Sequence, residues 1–233
     1  MKIALFGYGK MGKMIEHVAI SRKHEIVAKI DVDSDQPDYN NIDVAIDFSM
    51  PNAAFKNIKA CIENNVPVIS GTTGWLENYD KAIALCEEKN GAFIYASNFS
   101  LGVNVFFELN EYLAKMMNNL KDYKIALEEI HHTQKLDAPS GTAITIAEGV
   151  ISNSDFNAWE LDGKDATKIP ITSKRIGTTP GTHTVAYENE IDSIEIKHTA
   201  HNRQGFALGA VIAAEWIYGK TGVFSMKDVL NLG

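Results

Sequence analysis

The 233-residue sequence predicts an α/β protein in two parts, a parallel-sheet domain and a smaller α+β domain. Three observations lead there. Apolar runs of strand length alternate with amphipathic helical stretches as far as Asn98, and a glycine-rich turn joins the first run to the first helix. Beyond them, residues 169–200 are rich in Thr, Ile, Val and Tyr with Pro-Gly and Asn-Glu turn signals. Composition agrees, at 45% hydrophobic and 22% charged residues. The formal net charge of -8 offers no attraction to a phosphate backbone or an anionic bilayer, so neither nucleic acid nor membrane is an expected partner. The opening apolar run stops at Gly7, before a signal-peptide core or a membrane span of roughly 20 residues could form, and a cytoplasmic location is expected. Cys61 and Cys86 fall in predicted helices with no CxxC pair and no histidine at ligand spacing, which makes them packing thiols.

In chain order, Lys2 to Phe6 reads as a strand, and Met14, Ile15, Val18 and Ala19 then recur at helical spacing. Glu25 to Ile30 is the second strand and completes a βαβ unit. Strands follow at Val44 to Phe48, Val66 to Ser70 and Ala92 to Ala96, with helices at Ala53 to Asn64 and Glu77 to Asn90 between them. Buried apolar strands alternating with helices require a parallel sheet covered on both faces. Past Asn98 the pattern changes. Val105 to Met117 is a helix with Leu109, Leu113, Met116 and Met117 inward and its aromatic residues in the core. A long strand from Tyr123 to His132, a helix from Thr142 to Ile151 and a mostly antiparallel sheet over 169–200 complete the second domain. The apolar helix Ala207 to Tyr218 is expected to pack back on the first domain. The expected division is 1–102 with 205–233, and 103–204, with a hinge near 98–104 and Gly205.

Gly7-x-Gly9-x-x-Gly12 follows a strand and opens a helix, and Asp31 ends the next strand about twenty positions on, the spacing of a Rossmann dinucleotide fingerprint. Loop glycines let backbone approach a pyrophosphate, which the helix N-terminus attracts. Asp31 suits ribose hydroxyls and repels a 2′-phosphate, so NADH is favoured over NADPH. Lys10 and Lys29 offer point charges to that phosphate, and use of both nucleotides stays open. Gly71-Thr72-Thr73-Gly74 and Tyr95-Ala96-Ser97-Asn98 end neighbouring strands on the ligand side of such a sheet.

The segment Glu128 to Thr142 is the most informative. Adjacent His131 and His132 at a strand end, Lys135 in the next loop, and Ser140-Gly141-Thr142 opening a helix bring together proton-transfer groups and a carboxylate seat. An acidic substrate that needs a proton fits that set. Surface histidines or metal ligands are the bland alternatives, and no Asp, Glu or Cys stands at a persuasive third-ligand spacing, so no metal is expected. His183, His198 and His201 receive no role; Arg175 reads equally as a carboxylate contact and as surface charge.

At these residues the chain resembles the 4-hydroxy-tetrahydrodipicolinate reductase family. Glu129-x-His131-His132-x-x-Lys135-x-Asp137-Ala138-Pro139-Ser140-Gly141-Thr142-Ala143 is similar to the family signature, and Gly7 to Gly12, Asp47-Phe48-Ser49, Gly71 to Gly74 and Ser97 to Asn104 are similar to its other segments, in order. The resemblance implies NAD(P)H-dependent reduction of a cyclic imine dicarboxylate in lysine biosynthesis by the diaminopimelate route. It implies His131 as proton donor or acceptor, Lys135 as proton donor, His132 as a substrate contact, and Gly141 with Thr142 as the carboxylate seat. Gly7, Tyr8, Gly9, Lys10, Met11, Gly12, Asp31, Gly71, Thr72, Thr73, Tyr95, Ala96, Ser97 and Asn98 would touch the cofactor. A homotetramer formed through the second domain's sheet is implied too. The chain departs from the family in a compressed stretch between Asp31 and Asp43 and in Val32, where many members carry arginine. The rival readings are another Rossmann amino- or imino-acid reductase, such as an aspartate dehydrogenase-like enzyme, and a non-catalytic NAD-binding regulator.

Overall fold

A computed structural model describes residues 1–32, 34–163, 165 and 167–232; Asp33, Lys164, Ala166 and Gly233, which fall inside the expected domain ranges, lie outside the described residues. The chain divides into two compact units, Met1–Leu101 with Gln204–Gly233, and Gly102–Arg203.

The first unit is built from β1 (Lys2–Phe6), α1 (Lys10–Ser21), β2 (Glu25–Ile30), β3 (Val44–Asp47), α2 (Pro51–Glu63), β4 (Val68–Ser70), α3 (Tyr79–Glu88) and β5 (Ala92–Tyr95), completed by the later α6 (Gln204–Ile217), β11 (Gly222–Phe224) and α7 (Met226–Leu230). The strand order is β11-β5-β4-β3-β1-β2 and every pairing is parallel. Alternation along β1 explains the layers. Ile3 and Leu5 join Ile46, Ile69 and Ile94 against α1 and α6, while Ala4 and Phe6 face the opposite cluster with Ile58, Cys61, Ile62 and Phe93. Cys61 and Cys86 are free and buried, in α2 and α3. Strands depart from β1 in both directions, so β1/β3 is the point where the winding reverses, and ligands of open parallel sheets bind at the carboxyl ends there. β11, which the sequence reading lacked, extends the far edge beside β5.

The second unit contains most of α4 (Leu101–Met117), then β6 (Lys124–His131), α5 (Gly141–Ile151), β7 (Trp159–Leu161), β8 (Ile169–Arg175), β9 (Gly181–Glu188) and β10 (Ser193–Ala200). Its sheet runs β10-β9-β6-β8-β7. The expected mostly antiparallel sheet is in fact mixed: β9 pairs antiparallel with β6 and β10, but β8 runs parallel to both β6 and β7. The chain returns through α5 before entering β8, and such a crossover gives parallel pairing.

The inward face of α4 also differs. Phe106, Asn110, Leu113, Ala114 and Met117 are buried, whereas Leu109 and Met116 are 52% and 48% exposed and Tyr112 is 65% exposed. Leu113 and Met117 face inward as expected and Leu109 and Met116 do not, because the core side includes a polar residue: Asn110 Nδ2 donates to Ile146 O of α5 at 2.9 Å. Among the described residues, no helix is long and apolar enough to cross a membrane.

Candidate active site

Each glycine of the loop after β1 has its own reason. Gly7 has φ +88° and a Cβ there would lie 2.1 Å from Phe48 O; one on Gly12 would lie 2.3 Å from Gly7 O. Gly9 meets nothing within 4 Å, so the bare backbone at the start of α1 is left open to an approaching group. Gly9 caps α1 without a side-chain bond and the first turn carries no acid, which leaves the positive end of the helix unneutralised beside Lys10, Met11 and Gly12. Gly7, Tyr8, Gly9, Asp31, Phe48 and Ser49 line a cleft of about 320 Å³. Asp31 is exposed there; its Oδ1 accepts from Val32 N at 3.0 Å. Lys29 is held elsewhere, 2.6 Å from Glu16 Oε1 and over the Tyr8 ring at 4.7 Å.

A fully buried carboxylate organises the loops beside this cleft. Asp47, at the end of β3, accepts from Ser49 Oγ (2.6 Å) and Asn57 Nδ2 (3.0 Å) on one oxygen and from Ser70 Oγ (2.8 Å) and Thr72 Oγ1 (2.7 Å) on the other. Burial pushes the Asp47 carboxyl up, and the four bonds oppose it. Thr72 Oγ1 also receives Ser49 N at 2.8 Å and Thr72 O accepts from Trp75 Nε1 at 2.7 Å, so this residue serves the loop. Gly71 packs under the Phe48 ring, where a Cβ would lie 2.3 Å from it. Tyr95 stacks edge-on with Trp75 and Tyr79, at 5.6 Å each, and buried Asn98 Oδ1 accepts from Ser100 N at 2.8 Å. Ala96 and Ser97 lie between them, and Thr73 stands exposed beyond β4.

In the second unit the centre is Glu129, a residue of the motif to which the sequence reading gave no role. Its carboxylate is fully buried and accepts from Ser140 N (3.1 Å to each oxygen), Ser173 Oγ (2.8 Å) and Arg175 Nη2 (3.2 Å). His131 Nε2 lies 3.5 Å from Glu129 Oε2 and His183 Nε2 3.7 Å from it. His131 is therefore tied to the start of α5, where Ser140 Oγ caps Ala143 N at 3.2 Å and Gly141 opens onto free space. Thr142 follows in the first turn, which carries no acid. Lys135 Nζ is 2.8 and 2.7 Å from the Asp137 oxygens, and Lys135 N donates to His132 O at 3.1 Å. Arg175 is neither free surface charge nor an open anion contact: besides Glu129 it donates to the carbonyls of Lys135, Asp137 and Lys174, and so pins the Lys135 loop.

Glu129, His131 and His183 offer ligand atoms within 4.8 Å of one another, a convergence that linear spacing concealed. The Arg175 guanidinium already neutralises the carboxylate, so a dication would enter a site without net negative charge. Burial lowers the pKa of His183 below its ordinary 6.5 and keeps the ring neutral. For Glu129 burial pushes upward, but the bonds from His131, Ser140 and Ser173 win and hold the carboxyl well below its usual range. Both shifts have one sign in stability: the unfolded chain takes up these protons at higher pH than the folded one, so stability is lost on acidification. Thermal unfolding followed against pH is expected to weaken first below 6.5, the ordinary value for His183, and again below 4.5, that of Glu129. His183→Gln should flatten the first of these falls.

"Dihydrodipicolinate reductase, N-terminus" matches residues 1–99 and "Dihydrodipicolinate reductase, C-terminus" matches residues 102–230. The chain belongs to the dihydrodipicolinate reductase family. The 4-hydroxy-tetrahydrodipicolinate reductase of Christiangramia forsetii is 60% identical, covering 99% of this chain and 98% of its own. That of Neisseria meningitidis serogroup B is 38% identical over 82% of this chain and 73% of its own. A dipicolinate-bound dihydrodipicolinate reductase from Paenisporosarcina sp. TG-14 has the same fold, with TM-score 0.80, 23% identity and 97% of each chain covered. Membership makes this chain an oxidoreductase of an NAD(P)H-dependent family.

Proposed function

We propose that the chain reduces 4-hydroxy-tetrahydrodipicolinate to tetrahydrodipicolinate with loss of water, in lysine biosynthesis by the diaminopimelate route. The observation that carries this is 60% identity to a curated reductase over 99% of the chain, with the Glu129 to Thr142 motif intact. The first unit fits a nicotinamide dinucleotide: Gly9 leaves the approach a pyrophosphate needs, and the α1 N-terminus faces the cleft that Asp31 lines. When bound, NADH or NADPH supplies the hydride. The chain's own residues do the rest. Lys135 and His131 supply the proton that quenches charge left on the reduced ring, and His132 contacts the substrate. Gly141 and Thr142 at the start of α5 seat a carboxylate, aided by the helix dipole.

NADH is the favoured donor. Asp31 is a fixed negative charge where a 2′-phosphate would sit, Val32 offers no guanidinium, and Lys29 is engaged with Glu16. A homotetramer is the proposed assembly. On the sheet face turned away from α4 and α5, Ala126, Ile130, Thr184 and Ala186 surround the Lys174–Glu128 pair, a small-residue surface that a second copy can cover. The cytoplasm is the proposed location, where the pyridine nucleotide pool lies.

The test is oxidation of each nucleotide, with substrate generated in place from pyruvate and aspartate semialdehyde by the preceding enzyme. Substrate-dependent loss of reduced nicotinamide, faster with NADH, is expected. Consumption of neither, although both bind, would bring forward the non-catalytic regulator.

A further inference from the structure

His131 turns its Nε2 inward. That atom lies 3.4 Å from His183 Nε2 and 3.5 Å from Glu129 Oε2, so the three converge on one point inside the second unit. The register produces this: Glu129 stands directly opposite His183 in the antiparallel β6/β9 pair, and His131 opposite Arg175 in the parallel β6/β8 pair. The His131 ring lies against bare backbone at Gly181, where a Cβ would come within 2.9 Å of its Cε1.

Two imidazole nitrogens 3.4 Å apart cannot both carry hydrogens aimed at each other. Ser140 decides which one does. Its Oγ already accepts from Ala143 N at 3.2 Å, so its hydroxyl hydrogen is available to His183 Nε2 at 3.3 Å. His183 Nε2 is then an acceptor, and the inward hydrogen belongs to His131, aimed at Glu129. We propose that Glu129 and His183 are positioning residues for His131: they fix its ring with Nε2–H inward, so that Nδ1 is the atom that takes and gives the proton in turnover.

A carboxylate behind an imidazole sets its tautomer and stabilises its cation. Other charges face the pair. Arg175 on β8 shares Glu129 through its other oxygen, Lys135 acts on His183 from the adjoining loop, and His198 acts on it from β10. Burial keeps His183 neutral, so the imidazole pair carries a single positive charge when His131 is protonated.

This inference rests on the proposed reductase activity for its catalytic meaning, but its geometry is tested separately. Nitrogen NMR of the wild-type chain labelled at histidine should find neutral His131 as the Nε2–H tautomer and neutral His183 as the Nδ1–H tautomer. The opposite pair of tautomers overturns the proposal even if Glu129 variants fail to fold. In folded Glu129→Gln, the alkaline limb of the kcat profile should move to lower pH by about one unit. Its KM for NADH should stay unchanged. An unmoved limb with lower thermal stability makes Glu129 a folding anchor only and overturns the proposal. If the wild type shows no turnover, the reductase reading falls while the tautomers still decide the geometry.

Discussion

Lys135→Ala is expected to lower kcat by about 100- to 1,000-fold, the usual contribution of a positioned acid or base, while NADH affinity is unchanged. The side chain is 21% exposed and its ammonium is held between both Asp137 oxygens, so it is charged and oriented while remaining reachable. The glycine loop and the Asp47 network belong to the first unit, and Lys135 belongs to the second. Stopped-flow and steady-state kinetics separate the outcomes: equal turnover in the variant removes Lys135 from the chemistry, and lost NADH binding moves it to the cofactor site. Lys135→Arg should recover part of the substrate binding but little of the turnover, since guanidinium does not give up its proton near neutrality. Asp137→Asn tests the orientation by itself and should leave a smaller defect.

Asp47→Ala is the substitution expected to damage the fold most. It strands the Ser70 and Thr72 hydroxyls, which are 0% and 5% exposed, and releases Ser49 and Asn57. An unmatched buried donor costs about 1–3 kcal/mol, and with two of them fully enclosed the expected loss is about 3 kcal/mol. Denaturant unfolding measures it, and a loss below about 1 kcal/mol would mean that the hydroxyls find other partners. Thr72 and Ser49 frame the loops beside the dinucleotide cleft, so KM for NADH should rise as well. Asp47→Asn keeps an acceptor and should lose less on both counts.

These two acids mark where the sequence stops being readable. Glu129 and Asp47 both stand in recognisable motifs, yet their work is done by partners that no local pattern connects to them. His183 lies 52 positions beyond His131 and Arg175 46 beyond Glu129. The pairing of β6 with β9 and β8 brings them together, and the direction of β8 was the part of the topology read wrongly. By contrast β1, α1 and β2 follow local signals, an apolar run, a glycine turn and a helical repeat, and β1 and β2 occupy the residues those signals marked. On α4 Leu113 and Met117 were legible as inward, while Leu109 and Met116 were misplaced for a related reason. Asn110 looks like a solvent residue until its bond to Ile146 O is known, and that bond crosses to a helix 36 positions away.

The return of α6 to the first unit has a consequence for synthesis. Ala207, Ala210, Val211, Ala213, Ala214 and Ile217 complete the apolar layer over Ile46, Ile69 and Ile94. When residues 1–101 have left the ribosome, that side of their sheet is covered by α1 alone, and the part that α6 covers waits until the helix emerges about a hundred residues later, several seconds at usual elongation rates. The inserted segment Gly102–Arg203 has its own core and can finish first. The unit made first is thus the one completed last, and its waiting β-sheet is the surface on which a nascent chain would most need a chaperone.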